Sequence, residues 1–455
     1  MLELYSHQTY EIYFSINRST ILIKYFAVEN FRSIKEENIV EFDSRLSKDS
    51  PFVANPTIGI AGANASGKSS LLQALTFTLW FMQDSLLSQD EDELIPTEAF
   101  ITCQELPSKF HLIFSYKTLV DNRLKDVNIE YILWTTKEKV IKEELLSYPY
   151  NRKRLIYRRD ENKITEGSTV TKLDSEIWSN LRDNCSIVSF AAQFNSQNTA
   201  RQCKNYQFLS NLTYVGMVEY EFHPDMLESL VDKYGFSKEQ IVNLLKIADL
   251  GIYDFEVIEM IEEAQKKIFD LFEQIENSVN RSIRKSLKEL QNIKIELQNN
   301  TEIKSSKDRQ SEYKSFVLKH KIDNSLKNFG HNSESSGTLQ FVALIYRIMV
   351  ALKKGSVFIF DEIEIKLHQN LVAYMIGLFQ NKYENPHGAQ LIFSFHNTYF
   401  MEILEPSQLW FTEKNDRGYT EIFSAADFKD IKKLQQRSLE ELYRLGRFGA
   451  KPRGI

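Results

Sequence analysis

The sequence predicts an α/β protein with a mixed sheet, an antiparallel β lobe and a helical insertion. Three observations support this fold class. Residues 56–61 have an apolar strand pattern that leads through a glycine-rich loop into a helical pattern at residues 70–79. Residues 100–164 contain alternating segments separated by polar turns, which indicates antiparallel strands. Residues 357–360 and 390–395 are largely apolar runs, as expected of parallel strands buried on both faces.

Composition indicates a globular protein with a sizeable core. The chain has 455 residues, of which 42% are hydrophobic. Because 56 Lys and Arg oppose 62 Asp and Glu, the net charge of −6 gives no global attraction for nucleic acid or for an anionic membrane. Three widely spaced cysteines argue against a disulfide framework and against a zinc site. No apolar run has the length of a membrane span and no secretory signal is present, so we expect a cytoplasmic protein without a membrane partner.

The chain divides into four predicted segments. They are an N-terminal extension at residues 1–20, a first lobe at 21–222, a helical insertion with a short coiled-coil arm at 223–325, and a second lobe at 326–455. The extension is either a tail or an added edge strand. The first lobe opens with strand patterns at residues 21–29 and 37–42.

A glycine-rich loop at residues 62–69 is the most informative segment of the chain. It reads GANASGKS and matches the pattern G-x-x-x-x-G-K-[ST] between a strand and a helix. In this pattern backbone N–H groups close around a phosphate, the lysine reaches the β- and γ-phosphate oxygens, and the following hydroxyl is placed to ligate Mg²⁺. The start of the next helix adds its positive dipole end. The loop therefore predicts binding of a nucleoside triphosphate. The candidate residues are Asn64, Gly67, Lys68, Ser69 and Ser70.

The insertion has a helical pattern whose apolar residues recur every three or four positions between residues 261 and 290. Its length fits a short hairpin or arm. Basic residues lie in this segment and at a turn of the first lobe, where they either contact DNA or form an ordinary solvated face. These residues are Arg281, Arg284, Lys285 and Lys288 in the insertion, and Arg152, Lys153, Arg154, Arg158 and Arg159 in the first lobe.

Residues 334–338 precede a long apolar helical pattern at residues 339–352. The segment reads ESSGT, and it presents hydroxyl groups, free backbone N–H groups and a helix dipole at the start of a helix. Such a segment can bind an anion, and it can equally be an ordinary N-cap. The acidic strand end that follows it favours anion binding, which makes Ser335 and Gly337 candidate nucleotide contacts.

Two acidic residues follow the apolar run at residues 357–360. A buried parallel strand delivers the side chains at its carboxyl end to the edge of the sheet where ligands bind. We therefore expect Asp361 to hold Mg²⁺, through water or through Ser69, and Glu362 to orient and deprotonate the water that attacks the γ-phosphate. His396 ends the next apolar run. A histidine at a strand end is more often structural, but its position after the acidic pair favours a γ-phosphate sensor.

As a set, these motifs resemble the overcoming-lysogenization, RecF and AAA15 branch of ABC-type ATPases. The resemblance rests on residues 30–33 (NFRS), the glycine-rich loop, residues 334–338, residues 360–362 (FDE), residues 367–368 (LH) and His396. The C-terminal residues 408–414 and 443–450 resemble the Rlo-type and abortive-infection members. Two positions depart from the family pattern: Ser336 stands where many relatives have glycine, and Ser394 stands where threonine is common.

The resemblance implies an ABC-type P-loop NTPase head that works as a homodimer or higher oligomer. Two heads would pack face to face, with ATP and Mg²⁺ between the glycine-rich loop of one and the serine–glycine segment of the other. It also implies that Arg32 contacts the nucleotide. Gln193, at the end of a predicted strand at residues 187–193, is a candidate for contacting Mg²⁺ and the attacking water, and the alternative is an ordinary surface strand end.

The resemblance further implies a role in prokaryotic defence against phage. In this hypothesis the ATPase is the sensor or switch for a separately encoded effector, a nuclease or toxin, and DNA or a phage component is the trigger. The alternatives are a RecF-like DNA-repair ATPase and a scaffold that uses ATP only to dimerise. Glu362 argues against the scaffold, since a scaffold needs no general base. The acidic net charge favours the switch, whereas the basic clusters keep DNA as a candidate ligand.

Overall fold

The computed structural model describes most of the chain. The described residues are 21–43, 52–120, 123–168, 172, 175–195, 214–215, 223, 226–247, 251–259, 314–323, 325–330, 333–364, 368–428 and 438–449. The chain divides into two compact units, one made of Met1–Glu219 with Arg347–Ile455 and the other of Tyr220–Tyr346. The predicted extension at residues 1–20 and the arm at residues 261–290 lie outside the described residues. The boundaries of the four predicted segments stay predictions.

A seven-stranded antiparallel sheet in the first unit confirms the predicted β lobe. Its strands are β1 (Ile21–Glu29), β2 (Asn38–Glu41), β4 (Ser108–Val120), β5 (Arg123–Thr135), β6 (Val140–Ser147), β7 (Arg154–Asp160) and β8 (Lys163–Glu166), in the order β2-β1-β4-β5-β6-β7-β8. Alternate side chains of the central strands are buried, for example Phe110, Leu112 and Phe114 on β4. One face of this sheet therefore packs on the core.

The mixed sheet predicted from the sequence lies in the same unit. Its strands are β3 (Thr57–Gly62), β9 (Tyr214–Val215), β13 (Val357–Phe360), β14 (Gln390–Ser394), β15 (Leu409–Lys414) and β16 (Thr420–Ser424), in the order β16-β15-β3-β14-β13-β9. All adjacent pairs are parallel except β15 and β16. Strands β3, β13 and β14 are buried along their whole length, which explains their unbroken apolar character. The carboxyl ends of these three strands therefore meet at one edge of the sheet.

Helices of the first unit flank the sheets. They are α1 (Lys68–Ser88), α2 (Ser175–Trp178), α3 (Ile187–Asn195), α7 (Gln369–Gln380) and α8 (Leu439–Arg444), together with the short 3-10 segments Pro149–Asn151, Thr398–Ile403 and Ala425–Asp427. Helix α1 contributes to a single apolar core that includes strands of both sheets. On α1, the ring of Phe77 stacks on Phe31, with centroids 6.3 Å apart, and packs at a tilt against Phe110, with centroids 5.0 Å apart. The helix thereby ties the antiparallel sheet to the mixed sheet and fixes the loop that precedes it.

Residues 187–195 form helix α3, so the predicted strand at residues 187–193 is wrong. Ile187, Val188, Phe190 and Ala191 are all buried. A short, mostly apolar run fits a buried strand and a buried helix equally well, because it is too short for its periodicity to separate them. The helix packs along α1, where the backbone N–H of Leu86 donates to the hydroxyl of Ser189.

The second unit contains helices α4 (Met226–Asp232) and α5 (Lys238–Ile247), the beginning of α6 (Ser336–Lys354), and a sheet that the sequence did not predict. The sheet is antiparallel, in the order β10 (Ile252–Glu259), β11 (Lys314–Ile322) and β12 (Ser325–Gly330). The described part of the predicted helical insertion is therefore both helical and β-structured.

Among the described helices, α6 alone is long and apolar enough to cross a membrane. Its mean hydropathy of 1.2 is modest, and 61% of the apolar window is buried inside the protein. A core helix of a water-soluble protein has the same properties, so α6 is weak support for a membrane span.

Candidate functional site

A cleft of about 570 Å³ opens at the carboxyl ends of β3 and its neighbours. The residues that line it are Ser33, Asn64, Ala65, Ser66, Gly67, Lys68, Ser69, Ser70, Glu362 and His396. Two distant parts of the sequence, the glycine-rich loop and the acidic strand end, thus face one space. The position follows the general rule that ligands of open α/β sheets bind outside the carboxyl ends of the strands.

The loop conformation requires glycine at Gly67. Its φ is 115°, and a Cβ atom there would collide with the side chain of Thr420. Gly67 caps α1 without any side-chain hydrogen bond. The N–H groups of the first turn of α1 are therefore left for an anion, which the helix dipole also attracts.

Lys68 is held beneath the loop. Its side chain is buried, and Nζ donates to the carbonyl oxygens of Gly62 and Ala63 at 2.9 and 3.1 Å. Burial lowers the pKa of Lys68, and the negative charges of Asp361 and Glu362 partly oppose this shift. Among the described residues, the third N–H of this ammonium group has no hydrogen-bond partner. The charge can therefore be offered to an anion in the cleft.

Asp361 and Ser69 are in direct contact. The Ser69 hydroxyl donates to Oδ2 of Asp361 at 2.6 Å. The other oxygen, Oδ1, accepts a short hydrogen bond from the hydroxyl of Ser394. Ser394 also accepts the backbone N–H of Glu362 at 2.7 Å. A serine is therefore sufficient at the position where relatives commonly have threonine, because the hydroxyl is the group that makes both bonds.

The oxygens of Ser69 and Asp361 fit a magnesium ion, which prefers hard oxygen ligands. Within the described residues, no group of three or more His, Cys, Asp or Glu side chains could hold an ion by itself. An ion at this position would need further oxygens from phosphate groups and water, as is usual where Mg²⁺ accompanies a nucleotide.

Glu362 and His396 face each other across the cleft. Nε2 of His396 lies 3.3 Å from Oε1 of Glu362, and both side chains are more than one third exposed. Glu362 has a φ of 53°, a left-handed conformation that is uncommon for residues other than glycine. Strained backbone of this kind is concentrated at functional sites, where the surroundings hold it in place. The arrangement can bind and deprotonate a water molecule in the cleft.

Glu364 is a residue of this region that the sequence analysis missed. Its Oε1 accepts the backbone N–H of His396 in a short bond and that of Asn397 at 3.2 Å. The signal for it was present in the sequence, as a third acid after the buried strand. Its hydrogen-bond partners lie in the turn after β14, and no local sequence pattern shows that Glu364 contacts this turn.

A hydroxyl network supports the loop from the side of the β15–β16 hairpin. Thr420 donates to the carbonyl of Ser66 at 2.8 Å, and the hydroxyls of Ser66 and Thr412 are 2.6 Å apart. Ser33 contacts Thr420 at 2.9 Å and donates to the hydroxyl of Ser70, also at 2.9 Å. The strand-pairing of β15 with β3 brings these groups together, so sequence reasoning had no access to them.

Arg32 does not line the cleft. Its Nε donates to Glu98 at 2.9 Å, and its backbone N–H donates to the carbonyl of the same residue. The neighbouring Ser33 faces the cleft instead.

Gln193 lies in helix α3 and not at a strand end. The position of its side chain lies outside what the structure describes. The predicted contact with Mg²⁺ assumed a strand end, and the helix removes that basis.

The serine–glycine segment lies in the second unit, at the start of α6. The Ser335 hydroxyl accepts the backbone N–H of Thr338 at 3.0 Å, which is the geometry of an N-cap. Glu334 contacts Nε2 of His320 at 2.7 Å. Within the described residues, a Cβ atom added at Gly337 would come near only the Ser335 hydroxyl, at 3.7 Å. The helix start is therefore capped by Ser335, and its remaining N–H groups can still meet an anion.

The basic cluster of the first lobe separates into two kinds of residue. Arg159 is only 2% exposed, and its guanidinium donates to Asp183 at 3.1 Å and to backbone carbonyls, so its interpretation as a DNA contact is wrong. Arg158 donates to Glu144 at 2.8 Å. In contrast, the side chains at residues 152–154 are exposed. The remaining basic candidates, in the insertion, lie outside the described residues.

Comparison with known proteins identifies one family. The family model for the AAA ATPase domain matches residues 22–401. A search of the curated proteins finds no match.

The solved structures that the chain matches include heads of SMC proteins. The SMC head domain from Thermotoga maritima is 11% identical, with 89% of this chain and 98% of that chain covered and a TM-score of 0.36. The Smc head domain of Pyrococcus furiosus, bound to the C-terminal domain of ScpA, is 13% identical, with coverages of 95% and 100% and the same TM-score of 0.36.

Proposed function

The chain belongs to the AAA ATPase domain family, and from this premise we propose that it binds ATP with Mg²⁺ and hydrolyses it to ADP and phosphate. One observation supports this most strongly. A single cleft contains Lys68 and Ser69 from the glycine-rich loop together with Glu362 and His396 from the ends of two parallel strands. These are the groups that phosphoryl transfer to water needs: a phosphate cradle, a cation, a base and a polar partner for the base.

The residues of the loop hold the phosphates in this proposal. Lys68 offers its ammonium group to the β- and γ-phosphate oxygens, and the N–H groups of Gly67, Ser69 and Ser70 add donors at the helix start. Asn64 lines the same cleft. Ser69 and Asp361 would hold the magnesium ion, which supplies neutralisation of charge that develops on the phosphate oxygens.

Glu362 is the general base. Its carboxylate is open to the cleft, its backbone is fixed by the hydroxyl of Ser394, and His396 lies within reach of Oε1. Glu362 would orient the water and take its proton, while His396 contacts the γ-phosphate and stabilises the position of the carboxylate.

Release of phosphate from ATP by the purified chain tests this function. We expect hydrolysis that requires Mg²⁺, is abolished by a chelator, and is absent in Lys68→Ala because that variant no longer binds the phosphates. Lys382→Ala, which removes an exposed lysine outside the cleft, is the matched control. Unchanged affinity of Lys68→Ala for ATP by calorimetry would contradict the assignment.

We further propose that two chains dimerise head to head around ATP, with Ser335 and Gly337 of one chain meeting the nucleotide on the other. The support is the resemblance of the motif set and the helix start at Ser335, whose remaining N–H groups can meet an anion. Ser335→Arg would fill this helix start but keep its own loop, whereas Lys68→Ala would keep its own helix start. A mixture of the two inactive variants should recover about one working site per heterodimer. No recovery at any mixing ratio would contradict action between chains.

At the cellular level we propose a cytoplasmic switch that controls a separately encoded effector in defence against phage. Only the resemblance to Rlo-type and abortive-infection ATPases supports this step. Cells that carry the chain and its neighbouring genes should resist phage infection, and Lys68→Ala should remove the resistance. Equal protection by Lys68→Ala would show that phage resistance does not require ATP binding by this chain.

A second candidate, DNA binding as in RecF-like repair ATPases, is favoured by one surface observation. Tyr150 is 48% exposed, and the cations of Lys125 and Arg154 lie 4.7 and 5.9 Å from its ring centroid. Exposed Arg152 and Lys153 adjoin it. An aromatic ring among cations suits stacking and phosphate contacts. A triple variant of residues 152–154 to Glu should weaken binding of single-stranded DNA and reduce its salt dependence, and unchanged binding would dismiss this surface.

A further inference from the structure

We propose that Glu364 is a positioning residue for ATP hydrolysis, which holds the backbone of His396 so that the imidazole ring meets Glu362. This inference rests on the proposed ATPase function. Nothing in the motif pattern assigned a role to this acid.

Three hydrogen bonds join the turn after β13 to the turn after β14 around Glu364. Its Oε1 accepts the backbone N–H groups of His396 and Asn397. The backbone N–H of Ile363 donates to the carbonyl of Ser394 at 3.1 Å. A carboxylate that accepts two consecutive N–H groups fixes the direction of the peptide plane between them, and with it the Cα–Cβ direction of His396.

The backbone position of His396 affects where its imidazole ring lies. Nε2 of His396 lies 3.3 Å from Oε1 of Glu362, a distance at the outer limit of a hydrogen bond. The side chain of His396 is 37% exposed, so the cleft side of the ring is not held by dense packing. The backbone clamp is therefore one restraint on the ring position, beside the contact with Glu362. A displacement of about 1 Å at a reacting group is enough to lower a rate by about 100-fold.

The second oxygen of Glu364 shows that this clamp is costly. Oε2 is buried, and it has no hydrogen-bond partner within the described part of the chain. An unsatisfied buried carboxylate oxygen destabilises the fold. A buried acceptor atom without a partner is explained if the carboxylate is needed for function.

The test combines replacements of Glu364 and His396 in the full-length chain, with phosphate release and ATP calorimetry as the two measurements. Glu364→Ala removes the clamp and should lower kcat at least tenfold while ATP affinity changes less than twofold. Glu364→Gln keeps an acceptor oxygen and should retain at least half of the wild-type kcat. Glu364→Asp keeps the charge but is one methylene too short, so it should behave as Ala does. Glu402→Ala, an exposed acid in the following 3-10 segment, is the control that should match wild type.

A double-mutant cycle identifies the route of the effect. If Glu364 acts through His396, Glu364→Ala should lower kcat less than twofold in a chain that already carries His396→Ala. The inference would be overturned if the effects of the two replacements were fully additive. It would also be overturned if Glu364→Gln were as slow as Glu364→Ala, or if Glu364→Ala lost ATP affinity in parallel with kcat. Should the Ala variant fail to fold, the comparison of Gln with Asp decides, since equal rates in those two variants also overturn it. Absence of hydrolysis by the wild-type chain would instead refute the proposed function, so the two failures are distinguishable.

Discussion

Two carboxylate sites of the first unit differ in how completely their oxygens are bonded. Glu143, on strand β6, is fully buried. Tyr131 and Ser186 donate hydroxyl protons to its Oε1, and the backbone N–H of Ile187, at the start of α3, donates to Oε2 at 2.8 Å. Every oxygen of this carboxylate therefore has a partner within the fold.

The acidic turn at the cleft has the opposite character. Asp361 is bonded to two serine hydroxyls, but Glu362 points to an open cleft from a strained backbone and Glu364 keeps a buried oxygen without a partner among the described residues. The difference separates two uses of the same chemical group. A carboxylate whose oxygens all have hydrogen-bond partners stabilises the fold. A group of carboxylates that can still accept hydrogen bonds or bind a cation is available to a ligand.

The largest effect is expected at the cleft. Asp361→Ala should reduce Mg²⁺-dependent phosphate release by at least about 100-fold, because the ligand for the ion is lost. The free energy of unfolding should change by less than about 1 kcal/mol, since the side chain is only partly buried. Chemical denaturation alongside the activity assay checks both statements. A loss of stability that parallels the loss of activity would remove the distinction between the two sites.

Glu143→Ala should lower the stability of the fold and leave the turnover of the folded protein nearly unchanged, and this effect should be smaller than that of Asp361→Ala. It leaves the hydroxyls of Tyr131 and Ser186 and the N–H of Ile187 without an acceptor, at a cost of about 3 kcal/mol in the free energy of unfolding. Turnover per folded molecule should stay within about twofold of wild type. Denaturation midpoints and the activity of the folded fraction measure the two quantities. A specific loss of turnover with stability intact would show that Glu143 also acts on the site.

The smallest effect concerns pH. Burial raises the pKa of Glu143 above its ordinary value of 4.5, so the folded state binds its proton more tightly than the unfolded chain does. The contribution of this group to stability is therefore full below about pH 4.5 and decreases as pH rises through the folded-state pKa. Glu143→Gln should lack this decrease, because an amide does not titrate in this pH range. The two hydroxyls can turn to accept from the amide N–H groups, which keeps the variant folded. Identical pH dependence of stability in the two proteins would contradict the raised pKa.

Local patterns predicted the elements whose signals are local. Strands β1, β3, β13 and β14 and helix α1 have compositions and turn residues that identify them, and the fold class follows from their order. Helix α3 was missed because a short, mostly apolar run fits a buried strand and a buried helix equally well. The pairing of β10 with β11 was missed because residues 260–313 separate the two strands in sequence.

The residues of the site likewise fall into those that local patterns identified and those that they did not. Lys68, Asp361, Glu362 and His396 were found because each adjoins a recognisable strand, and the structure brings Lys68, Glu362 and His396 to one cleft. Glu364 and the Thr420 network were not found, since their contacts join segments that are far apart in sequence. Arg159 was misassigned because charged residues are usually exposed, and only its partners in the fold explain its burial.

Glu362→Gln tests the central claim most directly, because it replaces the proposed base by a group of the same shape that cannot accept a proton. ATP affinity by calorimetry should equal that of the wild-type chain, phosphate release in a single turnover should be at least about 100-fold slower, and the variant should accumulate as an ATP-bound dimer in light scattering. Hydrolysis at the wild-type rate by Glu362→Gln would contradict the assignment of the base and the account of the cleft as an ATPase site.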